Sequence, residues 1–171
     1  MGSHQEVHVF RKGDRVVYPH HGAAVIDDLV EREVSGKPRT YFKLRLPHGD
    51  LVIMVPVEGA EEVGLRGVVS RGEVDKVFDL LHQDESPMPL LWTQRFKANL
   101  AKLVSGDIYK VAEVVRDLSL RERRRALSPG EARMLAKARE ILISELTFAV
   151  DATEENAEAM LDEILEGSGR A

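Results

Sequence analysis

Near Ser70 the apolar residues of this chain change their period, and that break limits what it can fold into. Upstream, to about Val57, they come in alternation or in short runs: DRVVYP, AAVIDDLVEREV, RTYFKLRL and DLVIMVPV. RKGD, HHG, SGKP and PHGD separate these runs and carry the Gly, Pro, Ser and Asp that turn a chain. Tyr41, Phe42, Leu44 and Leu46 read as strand residues. The segment is too short for a sandwich of two sheets, so a small, strongly bent barrel of the SH3 or Tudor kind is expected.

Downstream the period is helical. Ser70 and Glu73 have capping-box spacing ahead of Val74, Val77, Phe78 and Leu81, which share one helical face. Ser128, Pro129 and Glu131 supply an N-cap, an N1 proline and an N3 carboxylate for a helix carrying Met134, Leu135, Ala138, Ile141 and Leu142. Between these lie amphipathic segments from Thr93 to Val104 and from Ile108 to Leu118. Gly106 ends the first and Asp107 caps the second. A last, acidic helix, EENAEAMLDEIL, sets Met160, Leu161, Ile164 and Leu165 on one face that covers the bundle. The predicted class is α+β: an N-terminal SH3/Tudor-like β-barrel followed by a C-terminal all-α helical bundle. The domains are drawn at 8–68 and 69–166, with 1–7 a tag or disordered start and 167–171 a disordered tail.

The formal charge of -5 hides an uneven distribution. From Trp92 to Arg139 there are 12 Lys/Arg against 5 Asp/Glu, whereas residues 151–171 carry 1 against 7. An acidic total therefore hides a basic segment. Cysteine is absent, which removes disulfides and thiolate metal sites. No apolar run approaches the roughly 20 residues that span a bilayer, and no secretory signal opens the chain, so a soluble cytoplasmic protein is expected. His20, His21 and His48 lack metal-ligand spacing and read as turn residues, leaving no metal and no cofactor. GLRGVV lacks the spacing of a phosphate loop and reads as the connection between domains. The run Arg121 to Arg125 reads as a solvated linker between helices, with a phosphate clamp as the alternative. No nucleophile-base set and no carboxylate pair is found, and the chain is read as a non-enzyme.

Trp92, the single tryptophan, falls at the first turn of a helix in PMPLLWTQRFKANL. At 100° per residue, Phe96, Leu100 and Leu103 form one stripe and Arg95, Asn99 and Lys102 the next, with Trp92 at their border. Two readings fit: an amphipathic plug at the top of a bundle, or a flat wedge offered to nucleic acid with Arg95, Lys97 and Lys102 on phosphates. Spacing does not separate them.

FRKGDRVVYPHHGAAVI, VPVEGAEEVGLR, WTQRFKANLAKLVSGDIYKVAEVVRDL and LSPGEARMLAKAREILISEL together resemble the CarD/CdnL family of bacterial transcription regulators, and its actinobacterial branch most. The likeness runs in order over about residues 9–165. It implies a Tudor-like module that binds the RNA polymerase β subunit, and a helical domain that touches promoter DNA at the upstream fork junction, in the minor groove. The family's wedge tryptophan matches Trp92, and its polymerase-contacting arginine matches Arg32. The last-strand contact falls on Met54 and Pro56, where Met54 stands in place of an arginine and makes the contact apolar. Arg95, Lys97 and Arg133 match basic positions on the DNA side, while Ala132 replaces a residue that is commonly basic. The resemblance implies a monomeric, nucleoid-associated adaptor that stabilises the open promoter complex. The alternative is a stand-alone architectural protein that binds duplex DNA.

Overall fold

The computed structural model describes residues 9–47 and 50–168. The tag-like start, His48 and residues 169–171 of the expected tail lie outside the described residues. Five antiparallel strands come first: β1 (Arg15–Tyr18), β2 (Gly22–Val34), β3 (Lys37–Arg45), β4 (Val52–Pro56) and β5 (Arg66–Gly67). Their spatial order is β4-β3-β2-β1-β5, so the sheet is open, with β4 and β5 as its edges. Ser35 and Gly36, at φ 54° and 77°, make the two-residue turn between β2 and β3. Positive φ at both central positions matches the twist of the strands it joins, and Gly36 takes it without strain. Only the first residues of β2, Gly22 to Val25, pair with β1. Beyond a register shift at Ile26 and Asp28, the outer half pairs with β3 alone and projects as a hairpin. Alternation sorts the faces: Val16, Ala24, Ile26, Phe42, Leu44 and Val55 build the sheet core with Phe10 and Leu65.

The helices are α1 (Arg71–Leu81), α2 (Trp92–Leu103), α3 (Ile108–Arg124), α4 (Pro129–Ala149) and α5 (Glu154–Gly167). Both capping boxes form as the spacing predicts, Ser70 with Glu73 and Ser128 with Glu131. Asp107 caps α3 through the Tyr109 amide, and Gly106 before it has φ 77°. Val77, Leu81, Val114, Leu118, Leu142 and Leu161 form the centre of the helical core. α3 runs six residues past the expected Leu118, so Arg121, Arg123 and Arg124 belong to its last turn and are not a linker. Cations there meet the negative helix end favourably. α5 includes Gly167, and Ser168 donates to the Leu81 carbonyl.

GLRGVV does more than connect the two cores. Arg66 on β5 makes a bidentate pair with the buried Glu145 of α4, at 2.7 and 2.9 Å, and its Nε donates to the Gly106 carbonyl. Glu145 also accepts from the Val69 amide at 3.1 Å. Nearby, the Ala23 amide donates to Ser144 Oγ at 3.0 Å. Gly22, at φ 87°, lies so close that a Cβ there would stand 2.5 Å from the same oxygen. No helix among the described residues is long and apolar enough to cross a membrane.

Candidate nucleic-acid interface

The segment between α1 and α2 is a strap fastened at both ends. Arg116 and Asp117 of α3 hold its beginning: Arg116 donates to the Leu80 carbonyl and to Ser86 Oγ, and Asp117 accepts from the Ser86 amide at 3.1 Å. Arg95 holds its end, donating from Nη1 to the carbonyls of Pro89 and Leu90, both at 3.3 Å. The backbone is thus fixed while the side chains at its tip face water. Leu90 is 97% exposed, Leu91 61% and Trp92 44%. Three consecutive exposed apolar residues on an anchored loop cost solvation that folding alone does not recover.

Trp92 is the first helical residue of α2, and its ring is aimed by two contacts with other residues. It stacks on Phe96 one turn on, with centroids 5.1 Å apart and planes at 23°. Its Nε1 donates to Ser128 Oγ at 3.0 Å. Gly130 lies against both rings, and a Cβ there would sit 3.4 Å from Phe96 and 3.5 Å from Trp92. Ser128 also accepts from the Glu131 amide, so one hydroxyl caps α4 and orients the indole. Glu131 takes the next link: its Oε1 receives Arg95 Nε at 2.8 Å, with Arg121 Nε at 3.7 Å. Trp92 to Ser128 and Arg95 to Glu131 are both separations of 36 residues, so the first turns of α2 and α4 face each other in register. Burial pushes the Glu131 carboxyl up. The Arg95 hydrogen bond, the Ser128 bond and the charges of Arg95 and Arg121 outweigh it and hold the group below the usual carboxylate range.

Arg95 is therefore not an outward cation. It is 5% exposed, and Asn99 and Leu103 share its buried side of α2, while Leu100 of the expected core stripe is exposed. The stripe is rotated because Glu131 and two strap carbonyls accept from the guanidinium Nε and Nη1 inside. Lys102 is half-buried and pairs with Glu113 at 2.8 Å. Lys97 and Arg133 are exposed and make no ion pair among the described residues. Much of the local positive charge is consumed internally: Arg139 pairs with Asp162 of α5, and Arg124 with Glu85.

The other expected contact residues collect on the sheet. Cross-strand register places Arg32 opposite Arg39, Tyr41 beside Val30 and Pro56, and Lys43 beside Met54. These rows share the face away from the buried Phe42, Leu44 and Val55. Arg32, Met54 and Pro56 thus lie on one side of the sheet, Met54 and Pro56 on its open β4 edge and Arg32 two strands in, on β2.

Two family models match this chain. "CarD-like/TRCF RID domain" covers residues 10–69, and "CarD, C-terminal domain" covers residues 76–162. The chain belongs to the CarD-like transcription factor family. A Bacillus subtilis (strain 168) protein named "Putative transcription factor YdeB" is 34% identical over 146 residues, which is 85% of this chain and 95% of that one. The Tudor-like fold of the CarD-like domain is the sheet described above, and the domain family implies interaction with RNA polymerase.

In this CarD-like chain, Ser128, Glu131 and Leu90 were not legible as site residues. The first two carry a local signal, the capping box, which explains them fully without a partner 36 residues away. Leu90 reads as core by type, yet its carbonyl is held by Arg95 and its side chain is 97% exposed.

Proposed function

We propose that this protein is a two-site adaptor that binds the RNA polymerase β subunit through the exposed face of its sheet and steadies the open promoter complex with Trp92. The observation that carries this reading is the indole itself: half-exposed, hydrogen-bonded to Ser128, stacked on Phe96 and flanked by exposed Leu90 and Leu91. A rigid, flat apolar group held at a surface suits insertion at an unstacked base step of the minor groove. Lys97 and Arg133 supply free cations for neighbouring phosphates, Lys102 contributes from its pair with Glu113, and Arg95 positions the wedge from beneath. On the polymerase side, Arg32 provides charge and Met54 and Pro56 provide apolar contact beside an edge strand with unpaired backbone groups.

No bond is made or broken by such an adaptor. A monomer of the cytoplasm, associated with the nucleoid, it lowers the free energy of the open state by its differential affinity for that state. About 1.4 kcal/mol shifts the equilibrium tenfold. The test is the lifetime of preformed polymerase-promoter complexes after competitor addition. Trp92→Ala at saturating concentration should shorten it while binding to an isolated β fragment is unchanged; equal lifetimes reject the wedge. Tight binding of the free protein to duplex DNA would favour the stand-alone architectural reading instead.

A further inference from the structure

Beside Trp92 a groove of about 550 Å³ runs between the strap and the end of α3. We propose that this groove binds an unpaired nucleic-acid strand, with Leu90 and Trp92 against its bases and Arg121, Arg124 and Arg125 along its phosphates. The proposal deepens the DNA-contacting reading of the helical domain and rests on it.

Shape, charge and apolar placement agree. A duplex presents a convex surface, whereas a groove with an aromatic and an aliphatic side chain at its lip receives an extended strand whose bases are free to stack. Four arginines line it against a single carboxylate, Glu85, which Arg124 already engages at 2.9 Å. One of the four, Arg95, is neutralised by Glu131. Of the other three, Arg121 shares Glu131 at 3.7 Å, Arg124 pairs with Glu85 at the surface, and Arg125 has no ion pair among the described residues. The Arg124 side chain is 67% exposed. Arg125, the C-cap of α3, is exposed. Arg121 Nε is buried without a hydrogen bond. Leu90 completes the site, since the Arg95 bond to its carbonyl fixes the backbone and the side chain has no protein surface to cover.

The test uses the full chain and no polymerase. Fluorescence anisotropy compares a labelled short oligothymidylate with a duplex of equal length at low salt. Tighter binding of the single strand is expected. The double variant R124Q/R125Q should weaken single-strand binding about tenfold, and the loss of two phosphate contacts should reduce the salt slope by about 1.4. Leu90→Ser should weaken binding about threefold and leave the slope unchanged, because it removes a base contact only. Undetectable single-strand binding, equal affinity for the duplex, or wild-type binding by R124Q/R125Q would each overturn the proposal. Such a failure leaves the adaptor reading intact. Retained strand binding with an unaltered open-complex lifetime for Trp92→Ala would sink the adaptor reading alone.

Discussion

Arg95 and Glu131 show how one buried ion pair sets the geometry of a surface group. The carboxylate accepts from Arg95, the arginine fixes the carbonyls of Pro89 and Leu90, and the Ser128 hydroxyl it accompanies holds the indole. Because Glu131 titrates below its ordinary value, the pair stabilises the fold fully above that value and loses its contribution as pH falls through the folded-state pKa. Thermal melts between neutral pH and pH about 3 should therefore show a loss of stability in wild type, starting near the ordinary Glu value of about 4.3. Glu131→Gln keeps the capping-box residue type but leaves Arg95 without its anion. It should be less stable at neutral pH by about 3 kcal/mol and flatter across the acid range. Parallel curves for the two proteins would show that the pair does not carry the acid sensitivity.

At the scale of elements, the β2-β3 hairpin and the β4 edge decide what the sheet offers to a partner. β2 outruns β1 and β3 outruns β4, so only the tip of the hairpin, with Arg32 opposite Arg39, extends past its neighbours, while Val30 and Tyr41 continue the same row beside Pro56 of β4. Arg32→Glu reverses a charge on an exposed strand position and should alter stability by no more than about 0.5 kcal/mol. Binding to a β-subunit fragment should weaken markedly, with the larger effect at low salt, because a rim charge acts through screened electrostatics. A pull-down or calorimetric titration with that fragment measures it. Unchanged affinity would remove Arg32 from the polymerase-binding face.

For the whole molecule, Arg66 and Glu145 matter most because they join the sheet to the helices. The pair is bidentate, Glu145 is buried, and the same carboxylate receives the Val69 amide. Arg15 adds a second tie, donating to the Phe148 carbonyl and to Asp151. The proposed wedge on one domain and the proposed polymerase grip on the other would act together only if their separation is defined, since effective concentration depends on the linkage. Arg66→Ala leaves Glu145 buried without its cation and should cost about 3 to 5 kcal/mol. Scattering profiles of the folded variant should also show a broader distribution of domain separations. A variant with the wild-type melting temperature and profile would show that the close approach of Gly22 to α4 sets the angle unaided.

What the sequence determined by itself is local. The change of period at Ser70, the two capping boxes and the Asp107 cap depend on residues two to four apart, and the folded chain keeps them because a cap is satisfied within its own turn. The family motifs were equally legible, being contiguous. Only the tertiary structure decided which side of α2 faces inward, since burying Arg95 is favourable solely where Glu131 and two strap carbonyls meet it. It likewise decided that GLRGVV holds a buried carboxylate 79 residues away, and that Arg121 to Arg125 border a groove beside Trp92. Hydropathy assigns an arginine to water and a leucine to the core. The positions of their hydrogen-bond partners, fixed by packing between distant segments, reverse both assignments at Arg95 and Leu90.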